Sequence, residues 1–164
     1  MSLPDVCRSI ELSHFSRIVD TTPSLWPAIN TVHLFAMALL VGSIGAFDLR
    51  LLNLAWRREP VSELAERLLP YTWGAFGMMI LTGTLLFISE PLSKYCFNPA
   101  FRIKLLLMFL AGVNMSVFHF TIYRSVSKWD EAISTPLWAK LVGLFSLALW
   151  LGVVIAGRWI GFAV

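Results

Sequence analysis

The chain has 164 residues, 57% of them apolar and 14% charged, with a formal net charge of +3 at neutral pH. With a mean hydropathy of +0.73, it is too apolar for an ordinary soluble domain, and its length leaves room for one domain. Its basic residues fall between apolar stretches and not on one face, which excludes a nucleic-acid interface. No phosphate-cradling glycine loop, HExxH pair or nucleophile elbow is present. Polar residues are too few for the wide aqueous path of a conventional transporter.

Residues 1–26 are polar with scattered apolar positions. Leu12, Phe15, Ile18 and Val19 share a helical face, while Ser9, Ser13, Ser16, Arg17 and Asp20 point elsewhere. This pattern predicts a short amphipathic helix lying in the membrane interface, with His14 at the edge of its apolar face. No apolar run precedes Cys7 and no signal-peptide core occurs in Met1 to Leu12, so the first span is expected to direct insertion itself. Two cysteines, Cys7 and Cys96, are too few for a disulfide framework or a zinc site.

Residues 27–164 read as a transmembrane bundle. Four apolar stretches follow, at about 27–54, 70–90, 99–126 and 136–160, each opened by a proline. Each can cross a hydrocarbon core of about 30 Å. Proline suits the first turn of a helix, where its missing N–H costs nothing, and Asn98 and Thr135 are placed to cap the two spans that follow them. The predicted fold is therefore all-α: an integral membrane four-helix bundle with an N-terminal interfacial helix. The connection from Trp56 through Arg67 is expected to hold one short helix. Trp26, Trp56, Trp73, Trp138 and Trp159 sit near span ends as an aromatic belt. Small residues, Ala38, Gly42 and Ala46 on the first span and Gly74, Gly77 and Gly83 on the second, permit close helix contact.

Four spans place both termini on one side. Arg8, Arg17, Lys94, Arg102, Lys104 and Arg158 fall there, six cations against seven (Arg50, Arg57, Arg58, Arg67, Arg124, Lys128 and Lys140) on the other. The dense Arg57-Arg58 pair in a short connection favours that side as cytoplasmic and the termini as non-cytoplasmic.

Two histidines lie inside spans, and an imidazole in hydrocarbon needs a ligand or a polar partner. His33 is early in the first span. It reads either as an axial ligand to haem or as a hydrogen-bonded residue, with Glu90 a candidate acceptor. His119 lies near the far end of the third span. Because the first and third spans run parallel, one haem bridging both histidines is not expected, so His119 would serve a second metal site. Arg124 and its neighbours could then receive propionates. Lys104 and His14 are the residues on His33's side able to complete its site. Lys104 reads as a snorkelling lysine or as a partner for a propionate or quinone. Asn114, at mid-depth, is expected to bond another helix or a bound head group. Asp48 is expected to pair with Arg124 or Lys140.

The run Trp26-Pro27-Ala28-Ile29-Asn30-Thr31-Val32-His33-Leu34-Phe35, followed by Gly42 and Asp48-Leu49-Arg50-Leu51-Leu52, resembles a bacterial family of four-helix integral membrane proteins of about 160 residues. The stretch from Asn98 to Lys104, continuing to Asn114, is similar to that family too. The resemblance implies the fold and a bacterial inner membrane, and attaches no activity. A second similarity is to the four-helix membrane protoporphyrinogen oxidases, which bind haem b and place a histidine early in the first span and a lysine in the third. It would assign those roles to His33 and Lys104. The expected function is a small cytochrome b-like subunit passing electrons between a partner and the quinone pool. The alternatives are a cofactor-free accessory subunit of a larger membrane complex and a porphyrin-oxidising enzyme. Expected partners are the lipid bilayer and other membrane or periplasmic subunits.

Overall fold

The computed structural model describes residues 3–90, 95–130 and 134–162. Lys94 and the side chains of Phe15 and Asp20, used above, lie outside the described residues. The chain is all-helical over these residues, in the order α1 (Leu3–Glu11), α2 (His14–Thr21), α3 (Leu25–Leu51), α4 (Val61–Ser89), α5 (Pro99–Val117) and α6 (Leu137–Trp159). A π-helical turn (Phe118–Ile122) and a 3₁₀ segment (Tyr123–Lys128) prolong α5. Four helices are long and apolar enough to cross a membrane. Phe35, Phe109 and Phe145 stand 72%, 68% and 61% exposed. In water such rings would be an aggregation hazard, whereas in lipid they are at home.

The bundle is held by close approach of α3 to α4, α5 to α6, and α3 to α6. Its centre is a layer of Ala36, Leu40, Ala75, Met79, Ala111, Trp150 and Val153, with contributions from all four spans. A second layer, Leu51, Val61, Trp129 and Ala139, closes the end away from the termini.

Several boundaries differ from the sequence expectation, each for a local reason. Pro70 lies inside α4 and not at its start. The short helix expected in the preceding connection is the first part of α4 itself. Its start is stabilised from a distance: Asp130 Oδ1 accepts from the Ser62 backbone N–H at 2.8 Å, and Ser62 Oγ also donates to that carboxylate. Asn98 caps α5 as expected, accepting from Ala100 N at 2.9 Å, and its Nδ2 donates to the Ile160 carbonyl at the end of α6. Thr135 does not cap α6. Its hydroxyl donates to Asn53 Oδ1 at 2.8 Å instead.

The N-terminal segment forms two helices, with Ser13 capping the second. Val19 is buried as its face implies, but so is Ser16, while Leu12 and Ile18 are exposed. The inward face is set by docking, since Ser16 Oγ donates to the Ser89 carbonyl at the end of α4. A Cys7–Cys96 disulfide spans 89 residues and ties α1 to the segment before α5. Two cysteines therefore form no framework, but they do form a strap across one end of the bundle.

Candidate functional site

His33 sits eight residues into α3, roughly 12 Å along the helix. It is 8% exposed. Its Nδ1 lies 2.8 Å from Thr82 Oγ1 on α4, so Thr82 fills the role considered for Glu90. The Thr82 hydroxyl has one proton, and its short 2.7 Å contact to the Met78 carbonyl, one turn back, uses it. With that proton spent on the carbonyl, Thr82 Oγ1 accepts from His33 Nδ1–H, and the corresponding tautomer carries its lone pair on Nε2, the arrangement by which proteins orient a ligating histidine; the opposite tautomer would reverse the bond.

Glycines make room for this group and for its nearest cation. A Cβ at Gly83 would lie 3.2 Å from His33 Cε1, so the ring occupies the space that a side chain on α4 would take. On the other side of the bundle, the partly buried Lys104 of α5 lies along α6. A Cβ at Gly157 would meet its Nζ at 3.6 Å and its Cδ and Cε at 3.7 Å. One level of the bundle thus gathers His33 from α3, Thr82 and Gly83 from α4, Lys104 from α5 and Gly157 from α6. An imidazole nitrogen can coordinate a metal centre, and a lysine at the same level of the bundle can hold an anionic or carbonyl oxygen.

The remaining sequence-predicted residues lie elsewhere. His14 is exposed at the start of α2. Asn114 Nδ2 donates to the Val142 carbonyl on α6 at 3.1 Å, the interhelical bond expected of it. His119 is exposed on the π-helical turn, stacked on Tyr123 at 5.9 Å and 12° with Phe120 at its edge. Arg124 is exposed nearby on the 3₁₀ segment. Fifteen residues separate His119 from Lys104, roughly 22 Å of helix, so His33 and His119 belong to opposite ends of the molecule. Among the described residues, no group of three or more His, Cys, Asp or Glu is placed to hold a metal ion.

Asp48 corrects an expectation. It is 3% exposed and faces α6, where Ser146 supplies a hydroxyl and Gly143 lets the helices approach. Arg124 is on the outside of the 3₁₀ segment, and neither it nor Lys140 forms an ion pair with Asp48. The buried cation at this end is Arg50, 1% exposed. Arg50 Nε donates to the Glu59 carbonyl at 2.8 Å, and Nη1 to Asn53 Oδ1 and Thr135 Oγ1, both at 3.3 Å. On the side of the disulfide, Tyr95 packs with Phe87 and Phe101. Burial, reinforced by the Glu90 carboxylate, pushes its phenol up to about 12, so it stays neutral within that aromatic cluster.

Thr82, Gly157 and Ser146 escaped the sequence reading, because a threonine, a glycine or a serine in an apolar helix carries no periodic signal. The adjacent Thr82-Gly83 pair was the available clue: a hydroxyl beside a missing side chain is a slot for a polar group from a facing helix.

Fold and site together define a multi-pass helical membrane protein with a polar niche at one end of its bundle. The chain belongs to DUF6644, a family of unknown function, whose profile matches residues 9–163. No curated protein and no solved structure matches it.

Proposed function

We propose that this protein is a small cytochrome b-like membrane subunit, in which His33 holds haem b and electrons pass between a partner protein and the quinone pool. The observation that supports the reading is a buried imidazole whose Nδ1 lies 2.8 Å from Thr82 Oγ1, itself 2.7 Å from the Met78 carbonyl; with the Thr82 proton spent on that carbonyl, Nε2 would be the ligating atom. The haem would supply one-electron chemistry. Lys104 would neutralise a propionate or hold a quinone carbonyl, and the absent side chains at Gly83 and Gly157 keep both groups close to their helices. The disulfide adds an orientation. Such bonds persist in oxidising compartments, so the face carrying Cys7, Cys96 and the end of α6 is outside the cytoplasm, in agreement with the Arg57-Arg58 pair on the opposite side.

One observation favours a second reading, a cofactor-free accessory subunit. Thr82 already satisfies one nitrogen of His33, and Val142 satisfies Asn114, so both polar groups have partners without a bound group.

A reduced-minus-oxidised visible spectrum with pyridine haemochrome, on gently purified protein, separates the two. A b-type signal lost in His33→Ala, with the bundle still folded, supports the haem subunit. Colourless folded protein that co-purifies with a larger complex supports the accessory role and overturns the first.

A further inference from the structure

At the opposite end from His33, α3 and α6 enclose a carboxyl group that no charge balances. Asp48 is 3% exposed, and its Oδ2 has no hydrogen-bond partner. Gly143 brings α6 against it: a Cβ there would lie 3.4 Å from the Asp48 carbonyl and 3.2 Å from Leu51 Cβ. One turn along α6, Ser146 offers a hydroxyl.

Among the described residues no cation forms an ion pair with it, Lys140 on the same α6 included. Arg50 is two residues away, but its guanidinium is turned to Glu59, Asn53 and Thr135, and the carboxylate acting on it is Asp130. On α4, Thr72 is bonded to Ser43 and to the Leu68 carbonyl. The layer beyond is apolar, with Phe47 and Phe118 edge to face at 5.6 Å. A carboxylate in hydrocarbon with one hydroxyl for a partner is unfavourable, and a carboxylic acid is not. As an anion, Oδ2 lacks a donor. As an acid, it bears a hydrogen that lacks an acceptor, a smaller cost than an unbalanced charge in hydrocarbon.

We propose that Asp48 is a membrane-embedded proton-binding site: a carboxylic acid, kept un-ionised at neutral pH between α3 and α6, that exchanges its proton with water on the side of the 52–60 connection. It lies three residues from the end of α3, about 4.5 Å along the helix, behind the apolar layer that closes this end, so exchange requires local opening of that layer. The proton leaves to water and returns from it, and no other reactant is needed. The site is separate from His33 and stands whether or not haem is bound.

Infrared spectroscopy of the full chain in lipid nanodiscs at neutral pH tests this. The carbonyl stretch of an un-ionised carboxylic acid should be present, be lost in Asp48→Asn, survive in Asp130→Asn, and shift down when water is replaced by D2O. If Asp48→Asn fails to assemble, Ser146→Ala serves instead. It should raise the frequency of the same band without removing it, because a hydrogen bond to the acid is lost. Absence of the band in the wild-type protein, or its survival in Asp48→Asn, overturns the un-ionised state. A band that ignores D2O overturns exchange.

Discussion

The two ends of this bundle treat buried polar groups differently. Away from the termini, Arg50, Asn53, Thr135 and the Glu59 carbonyl saturate one another, and Asp130 completes the start of α4. Those contacts hold connections in place and leave little over for a ligand. At the disulfide-bearing end, the Thr82 bond commits one nitrogen of His33, at the level where Lys104 lies against α6, and Gly83 and Gly157 make room for the two side chains. Polar groups that close on each other fix the fold, and polar groups left half-committed are where chemistry is to be sought. Asp48 is the exception at the first end, which is why it carries an inference and Arg50 does not.

Three experiments press on that contrast. The largest effect is expected from the strap: Cys7→Ser removes closure of an 89-residue separation. Chain entropy puts this at about 4–5 kcal/mol as an upper value, since inserted spans already restrict the unfolded chain. Thermal unfolding in detergent with and without reductant measures it, and reductant should leave the variant unchanged. Next is Arg50→Met, which leaves the Glu59 carbonyl without its donor while Asn53 Oδ1 keeps the Thr135 hydroxyl, and should cost about 2 kcal/mol. Arg50→Lys should recover little of it, because an ammonium cannot reproduce the geometry of the guanidinium fork. Equal stability of all three proteins would mean that this end is not held by the Arg50 network.

The smallest effect is a comparison of two glycines on one helix. A Cβ at Gly74 meets nothing within 4 Å, whereas one at Gly83 meets His33. Gly74→Ala should stabilise α4 by up to about 1 kcal/mol through helix propensity. Gly83→Ala should lose that gain to crowding and shift the His33 ring signal in NMR. Matching behaviour of the two variants would show that the slot at Gly83 does not shape the histidine's surroundings.

Much of the fold was legible because lipid imposes simple rules. Long apolar runs interrupted by prolines and charges placed all four spans, and Asn98 was a readable cap. The errors came where partners are distant in sequence. Pro70 reads as a start, yet α4 begins at Val61, where Ser62 is held by Asp130, 68 residues on. Thr135 looked like a cap but is held by Asn53, 82 residues earlier. Asp48 looked like half of an ion pair, and no residue near it in sequence indicated that its side chain would face Ser146. In the candidate site His33 and Lys104 were visible as polar residues in apolar helices, while Thr82 and Gly157 were not, because their roles are defined only by what faces them.

The sequence by itself determined that this is a four-span helical membrane protein, since stretches of twenty or more predominantly apolar residues have few other stable fates. It also named the residues whose presence in hydrocarbon needs a reason. Only the tertiary structure decided which of them meet: His33 with Thr82, Lys104 against Gly157, Cys7 with Cys96, and Asp48 with no cation. Helix rotation and pairing set those contacts, and in a bundle whose helices are apolar all round, the hydrophobic pattern along each helix does not specify which face turns inward.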